Sequence, residues 1–112
     1  MEKFDYHDAS IFKIEHHAKE NILIIGILQD GNAIDLIFED IIGWSFSDFT
    51  YQNFLLDLRI YAHNDVPQAI IEDYLVAPRY IGLMRLKKAS LFELDPASGM
   101  GGYVIARTMR HG

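Results

Sequence analysis

Between Asn21 and Tyr61 apolar and polar residues alternate in short runs that reverse at polar turns. This is the period-2 pattern of strands with one covered face and one wet face. The sharpest local signal is Gln29-Asp30-Gly31-Asn32. Asp-Gly accepts the positive φ angles of a two-residue hairpin turn, whose twist matches the strands it joins. Before the turn, Ile22 to Leu28 is almost wholly apolar and rich in β-branched side chains, which suits a strand covered on both sides. After it, Ile34, Leu36 and Phe38 point one way, and Asp35 and Glu39 the other. Ile41 to Ser47 resumes the pattern, with Trp44 and Phe46 on one face. Phe54, Leu56, Leu58 and Ile60 then alternate with Leu55, Asp57, Arg59 and Tyr61, a strand whose second face is amphipathic.

The flanks extend this frame. Ser10 to His16 reads as a first strand, with Phe12 and Ile14 buried and Lys13 and Glu15 outward. Ala62 to Asp65 breaks the sheet, and Val66-Pro67 opens a helix that Pro78 ends. Val66, Ile70, Ile71, Tyr74 and Leu75 form its apolar side, and Gln68, Glu72 and Asp73 its polar side. That polar side is acidic, which favours packing on the sheet over a membrane surface. Ile81 to Leu86 and Ala89 to Leu94 read as extended, Asp95 to Gly102 as a loop, Tyr103 to Arg107 as the last strand, and the tail from Met109 as frayed. The expected fold is mainly β (α+β) and one domain over residues 1–112. An antiparallel meander of about seven strands rolls into a barrel-like sheet, which disposes of exposed edges, and one helix packs on it.

Composition adds constraints. Half of the 112 residues are hydrophobic and there is no cysteine, so disulfides and thiolate metal sites are excluded and the cytoplasm is the expected compartment. The charged start, Met1 to Asp5, does not resemble a signal peptide, and the longest apolar run, Ile22 to Leu28, is far short of the roughly 20 residues of a spanning helix. We therefore expect a soluble chain without a membrane partner. The net charge of −6 is unevenly spread: residues 1–76 hold fourteen acids against four Lys and Arg, and residues 77–112 hold six Lys and Arg against two acids. The acidic portion suits a basic partner and repels nucleic acid.

No nucleophile motif, phosphate loop or paired metal-ligand spacing occurs. No cofactor is expected, and no metal on the leading reading. The polar residues in suggestive places are His7 and Asp8 before the first strand, Asn53 and Asp57 around the Phe54 strand, and His63 before the helix. They would serve a small-ligand binder or a metal-dependent enzyme in the mouth of a β-roll. Tyr51, Leu55 and Tyr61 are interface candidates, since an outward Leu55 and Tyr61 would give the Phe54 strand a second apolar face for a partner or a second copy.

His7-Asp8-Ala9, the Ile34–Phe38 strand, Gln52-Asn53 followed by an apolar run with Asp57, and Phe92-Glu93-Leu94-Asp95-Pro96 with Gly99 together span most of the chain. On these short motifs it resembles a diffuse group of small bacterial β-rich proteins, some near polymorphic-toxin immunity proteins. The resemblance implies a non-enzymatic domain, a binder. Taken with the charge asymmetry, the leading expectation is a non-catalytic, immunity-like protein-interaction module whose acidic first two-thirds meets a basic partner.

Overall fold

The computed structural model describes residues 6–50 and 52–112. Strands β1 (Ser10–His17), β2 (Ile22–Gln29), β3 (Asn32–Ser47) and β4 (Phe54–Tyr61) come first. Helices α1 (Gln68–Asp73) and α2 (Pro78–Lys87) follow, and strands β5 (Ser90–Ser98) and β6 (Gly101–His111) complete the order. All pairings are antiparallel, and the six strands close a barrel in the order β1-β2-β3-β6-β5-β4. The mainly β, barrel-like expectation holds, with six strands rather than seven among the described residues.

The turn between β2 and β3 forms as its sequence dictates. Asp30 and Gly31 take φ of 51° and 79°, and Gln29 pairs with Asn32 across the two-residue turn. Ile34, Leu36 and Phe38 share the inner side of β3, with Leu36 and Phe38 fully buried and Ile34 packed against the same core. Strand β3 then runs on unbroken through a register shift between Ile41 and Gly43. This lets one strand pair with β2 in its first half and with β6 along most of its length.

Two apolar clusters lie on the two sides of this wall. The barrel interior is filled by side chains such as Leu23, Ile25, Ile27, Leu36, Phe38, Leu55, Leu94 and Val104, and Phe38 meets Phe92 edge to face at 5.2 Å. Outside, Leu91, Tyr103 and Ile105 are covered by the helical segment through Val76, Ile70, Ile71 and Met84. Strand β5 is thus covered on both sides, as its unbroken buried run from Leu91 to Leu94 reflects.

Several local expectations change. Phe12 is half exposed and Ile11 is buried in its place, because a bulge between Ile11 and Lys13 shifts the strand's alternation. Pro78 starts a second helix instead of ending the first. Proline at a helix's first position gives up no intrahelical hydrogen bond, and its fixed φ suits the first turn. Ile81 to Leu86 is therefore helical, not extended. The Asp95–Gly102 segment is mostly strand, since β5 reaches Ser98 and β6 begins at Gly101. Strand β6 continues to His111, and Asp35 and Gly112 exchange a pair of backbone hydrogen bonds of 3.1 Å each, so the tail is held. No helix among the described residues is long and apolar enough to cross a membrane.

Candidate functional site

The alternation along β4 and β5 puts Leu58, Phe92 and Leu94 inside the barrel and turns Asp57, Arg59, Glu93 and Asp95 to the side where the helices pack. Arg59 stands directly opposite Glu93, and Asp57 opposite Asp95. Across these rungs the Arg59 guanidinium donates to the Glu93 carboxylate at 3.2 Å and to Asp95 at 2.8 Å, and its Nε lies 3.4 Å from Asp57. Glu93 is almost wholly buried, and two tyrosines complete its shell. Tyr61 donates its hydroxyl to Oε1 at 3.2 Å, and Tyr74, capping the end of α1, donates to Oε2 at 2.6 Å. Tyr74 is itself set by an edge contact with Tyr103.

Burial of a carboxylate is costly unless both oxygens find donors. Here one guanidinium and two phenols supply them. Arg59 nevertheless faces three carboxylates, so the cluster keeps two negative charges in excess. Hydrogen bonding to Asp95, more than the opposing desolvation, pushes the guanidinium pKa further above its already high value. Desolvation first, then the bond to Glu93, raises the Tyr74 phenol, and desolvation with the Glu93 charge raises Tyr61. Desolvation raises Tyr103 as well.

A phenol whose pKa is raised by folding contributes stability that is complete below its unfolded pKa, about 10, and is lost as pH climbs through the folded value. Phenolate absorbance during an alkaline titration should therefore show Tyr61, Tyr74 and Tyr103 ionising late, with stability falling as the pH rises above about 10. Tyr74→Phe should remove one late step and flatten the fall. Tyrosines that all ionise together in the ordinary range would contradict this geometry.

The residues singled out in the sequence are only partly brought together. Asp57 and Tyr61 join the Arg59–Glu93 cluster. His7 and Asp8 form a separate exposed pair with Nε2 3.4 Å from the carboxylate, and His7 Nδ1 lies 3.0 Å from the Leu56 carbonyl oxygen. Asn53 is buried, and its side chain serves the backbone. Its oxygen accepts from the N–H groups of Thr50 and Met100, and its amide donates to the Thr50 carbonyl, which ties the loop before β4 to the β5–β6 turn. His63 sits half-buried in the turn between β4 and α1. Leu55 does not face outward. Register shifts on both sides of it reset the strand, so Leu55 is fully buried and Leu56 faces out instead. Tyr51 falls outside the described residues. Among the described residues, no group of three or more His, Asp or Glu side chains is placed to hold a metal ion.

Arg59, Tyr74, Glu93 and Asp95 are the functional candidates that the strand pattern alone did not single out. A signal for Arg59 exists: it is the lone Lys or Arg between Lys19 and Arg79. Glu93 is likewise an acid flanked by Phe92 and Leu94 in a run that must be buried. A second feature is a cleft of about 450 Å³ at the far end of α2, lined by Asn21, Asp40, Ile41, Lys87 and Arg107. There Arg107 lies 3.7 Å from Asp40.

The chain matches no model of a known protein family, and no curated protein resembles it significantly in sequence.

Proposed function

We propose that the protein is a non-catalytic interaction module that takes a basic partner on the acidic side formed by β4, β5 and α1. The observation that supports this most is the three-to-one excess of carboxylates over guanidinium around Arg59. Asp65, Glu72 and Asp73 add exposed carboxylates on and before α1, and Arg59 is the only Lys or Arg from Gln52 to Ala77. Asp57 and Asp95 keep part of their surface open to solvent beside the fixed cluster. An incoming guanidinium or ammonium would therefore meet acceptors already held in place, and the surrounding charge would speed its approach. The resemblance to the group near toxin immunity proteins fits such a role, as does a cytoplasmic setting for a chain without cysteine.

The test is affinity capture from the native host at low and high salt. A basic protein should be retained at low salt, released at high salt and lost from Glu72→Lys/Asp73→Lys. Retention of no basic partner at low salt, or undiminished capture by that variant, would count against the reading.

A further inference from the structure

Helix α2 carries a second, differently charged surface. At about 100° per residue, Tyr80, Ile81 and Met84 fall on one side of the helix, and Arg79, Gly82, Leu83 and Leu86 on the other. The first set packs on the outer apolar cluster, and Met84 is fully buried. The second set is exposed: Leu86 keeps 78% of its surface and Leu83 38%, and a side chain added at Gly82 would meet only open space. Leu75, just before the helix, is 85% exposed. Neither outward leucine of α2 is needed by the barrel.

Along α2 itself the charged residues have one sign. Arg79, Arg85, Lys87 and Lys88 lie in a stretch with no acid between Tyr74 and Phe92. Arg85 and Lys87 flank the Leu83–Leu86 ridge on its two sides, at the helix's last turn. The cleft at that end of the helix adds Arg107 beside Lys87, and Arg107 is partly offset by Asp40. Aliphatic tips on a convex ridge, bordered by long cations, match an interface whose outer layer is anionic and whose next layer is apolar.

We propose that the outer face of α2 docks on an anionic lipid surface, with Leu83 and Leu86 entering the headgroup boundary and Arg85, Lys87 and Lys88 meeting lipid phosphates, while the Arg79 guanidinium lies over the Tyr80 ring at 5.1 Å. This surface lies on a different element from the acidic side argued above, so neither reading depends on the other. The acidic strands do not cancel the attraction, because at physiological salt charges beyond about 8 Å are largely screened, and about 0.15 M is therefore the lower salt condition of the test. The contact is a surface contact and asks for no spanning segment, so it departs from the expectation of no membrane partner, which rested on the absence of a long apolar run.

The test is co-sedimentation of the full chain with phosphatidylcholine vesicles and with vesicles that also contain phosphatidylglycerol, at low and high salt. The protein should sediment only with the anionic vesicles at low salt. Arg85→Glu/Lys87→Glu should lower the bound fraction at least about tenfold, since each basic residue near such a surface contributes measurably to binding. Leu86→Ser should lower it several-fold, and thermal melting should show both variants folded. Failure to sediment with anionic vesicles at low salt would overturn the proposal, as would equal binding to neutral vesicles or undiminished binding by both variants. A concentration-dependent dimer in light scattering that Leu86→Ser abolishes would instead assign the face to a second copy. Binding to polyglutamate without vesicle binding would assign it to an acidic protein.

Discussion

Gly102→Ala is expected to cost about 3 kcal/mol or more, and the variant is expected to accumulate poorly in soluble form. Gly102 takes φ of 151°, and a Cβ there would collide with the Ser45 carbonyl oxygen and come within 3.0 Å of the Phe46 Cα. Neither atom can retreat. Gly102 pairs with Phe46 on one side and with Leu94 on the other, at the point where β6 links the two halves of the barrel. Gly82→Ala is the matched control. Gly82 is helical and faces open space, so alanine should stabilise the protein by about 0.5–1 kcal/mol. Denaturant unfolding of both variants checks the pair. Equal effects would mean that the β3–β6 contact is looser than described.

Replacing Arg59 with methionine should cost about 2 kcal/mol. The variant leaves the Glu93 carboxylate buried with only its two tyrosine donors, and Asp57 and Asp95 lose their shared cation. The figure stands below the usual cost of breaking a buried pair because Arg59 itself remains 41% exposed, so water replaces part of what is lost. A double-mutant cycle separates this coupling from lost packing. Arg59→Met in a Glu93→Gln background should cost at least about 1 kcal/mol less than in the native chain. Additive effects would show that the two side chains do not depend on each other.

The barrel was legible because its strands obey one rule, alternation, over long stretches, and because Asp30-Gly31 fixes a register that propagates through Ile34, Leu36 and Phe38. What escaped the pattern lies where alternation is interrupted. A single bulge at Phe12 and two shifts around Leu55 each move side chains to the opposite face, and nothing in the residue types there announces an extra residue. Helix α2 was hidden for another reason. Apolar residues on both of its sides make a stretch such as Ile81-Gly82-Leu83-Met84 resemble a strand covered on both faces. The second apolar side that disguises the helix is also the one that its own fold leaves uncovered.

The candidate site was legible only in part. Asp57 and Tyr61 stood out on the amphipathic face of β4, but their partners Glu93 and Asp95 come from a strand more than thirty residues away. Only the β4–β5 register sets Arg59 against Glu93. Asn53 drew notice as a polar residue beside an apolar run, yet the backbone of the neighbouring loop and turn takes both ends of its amide.

The acidic side of β4, β5 and α1 is tested most directly by titrating the labelled protein with an oligo-arginine peptide at low salt and following its backbone amide resonances. Saturable shifts should gather around Asp57, Arg59, Glu93 and Asp95 and along α1, and should vanish in Asp57→Asn/Asp95→Asn and at high salt. Shifts spread evenly over every exposed carboxylate, or none in β4 and β5, would contradict the account.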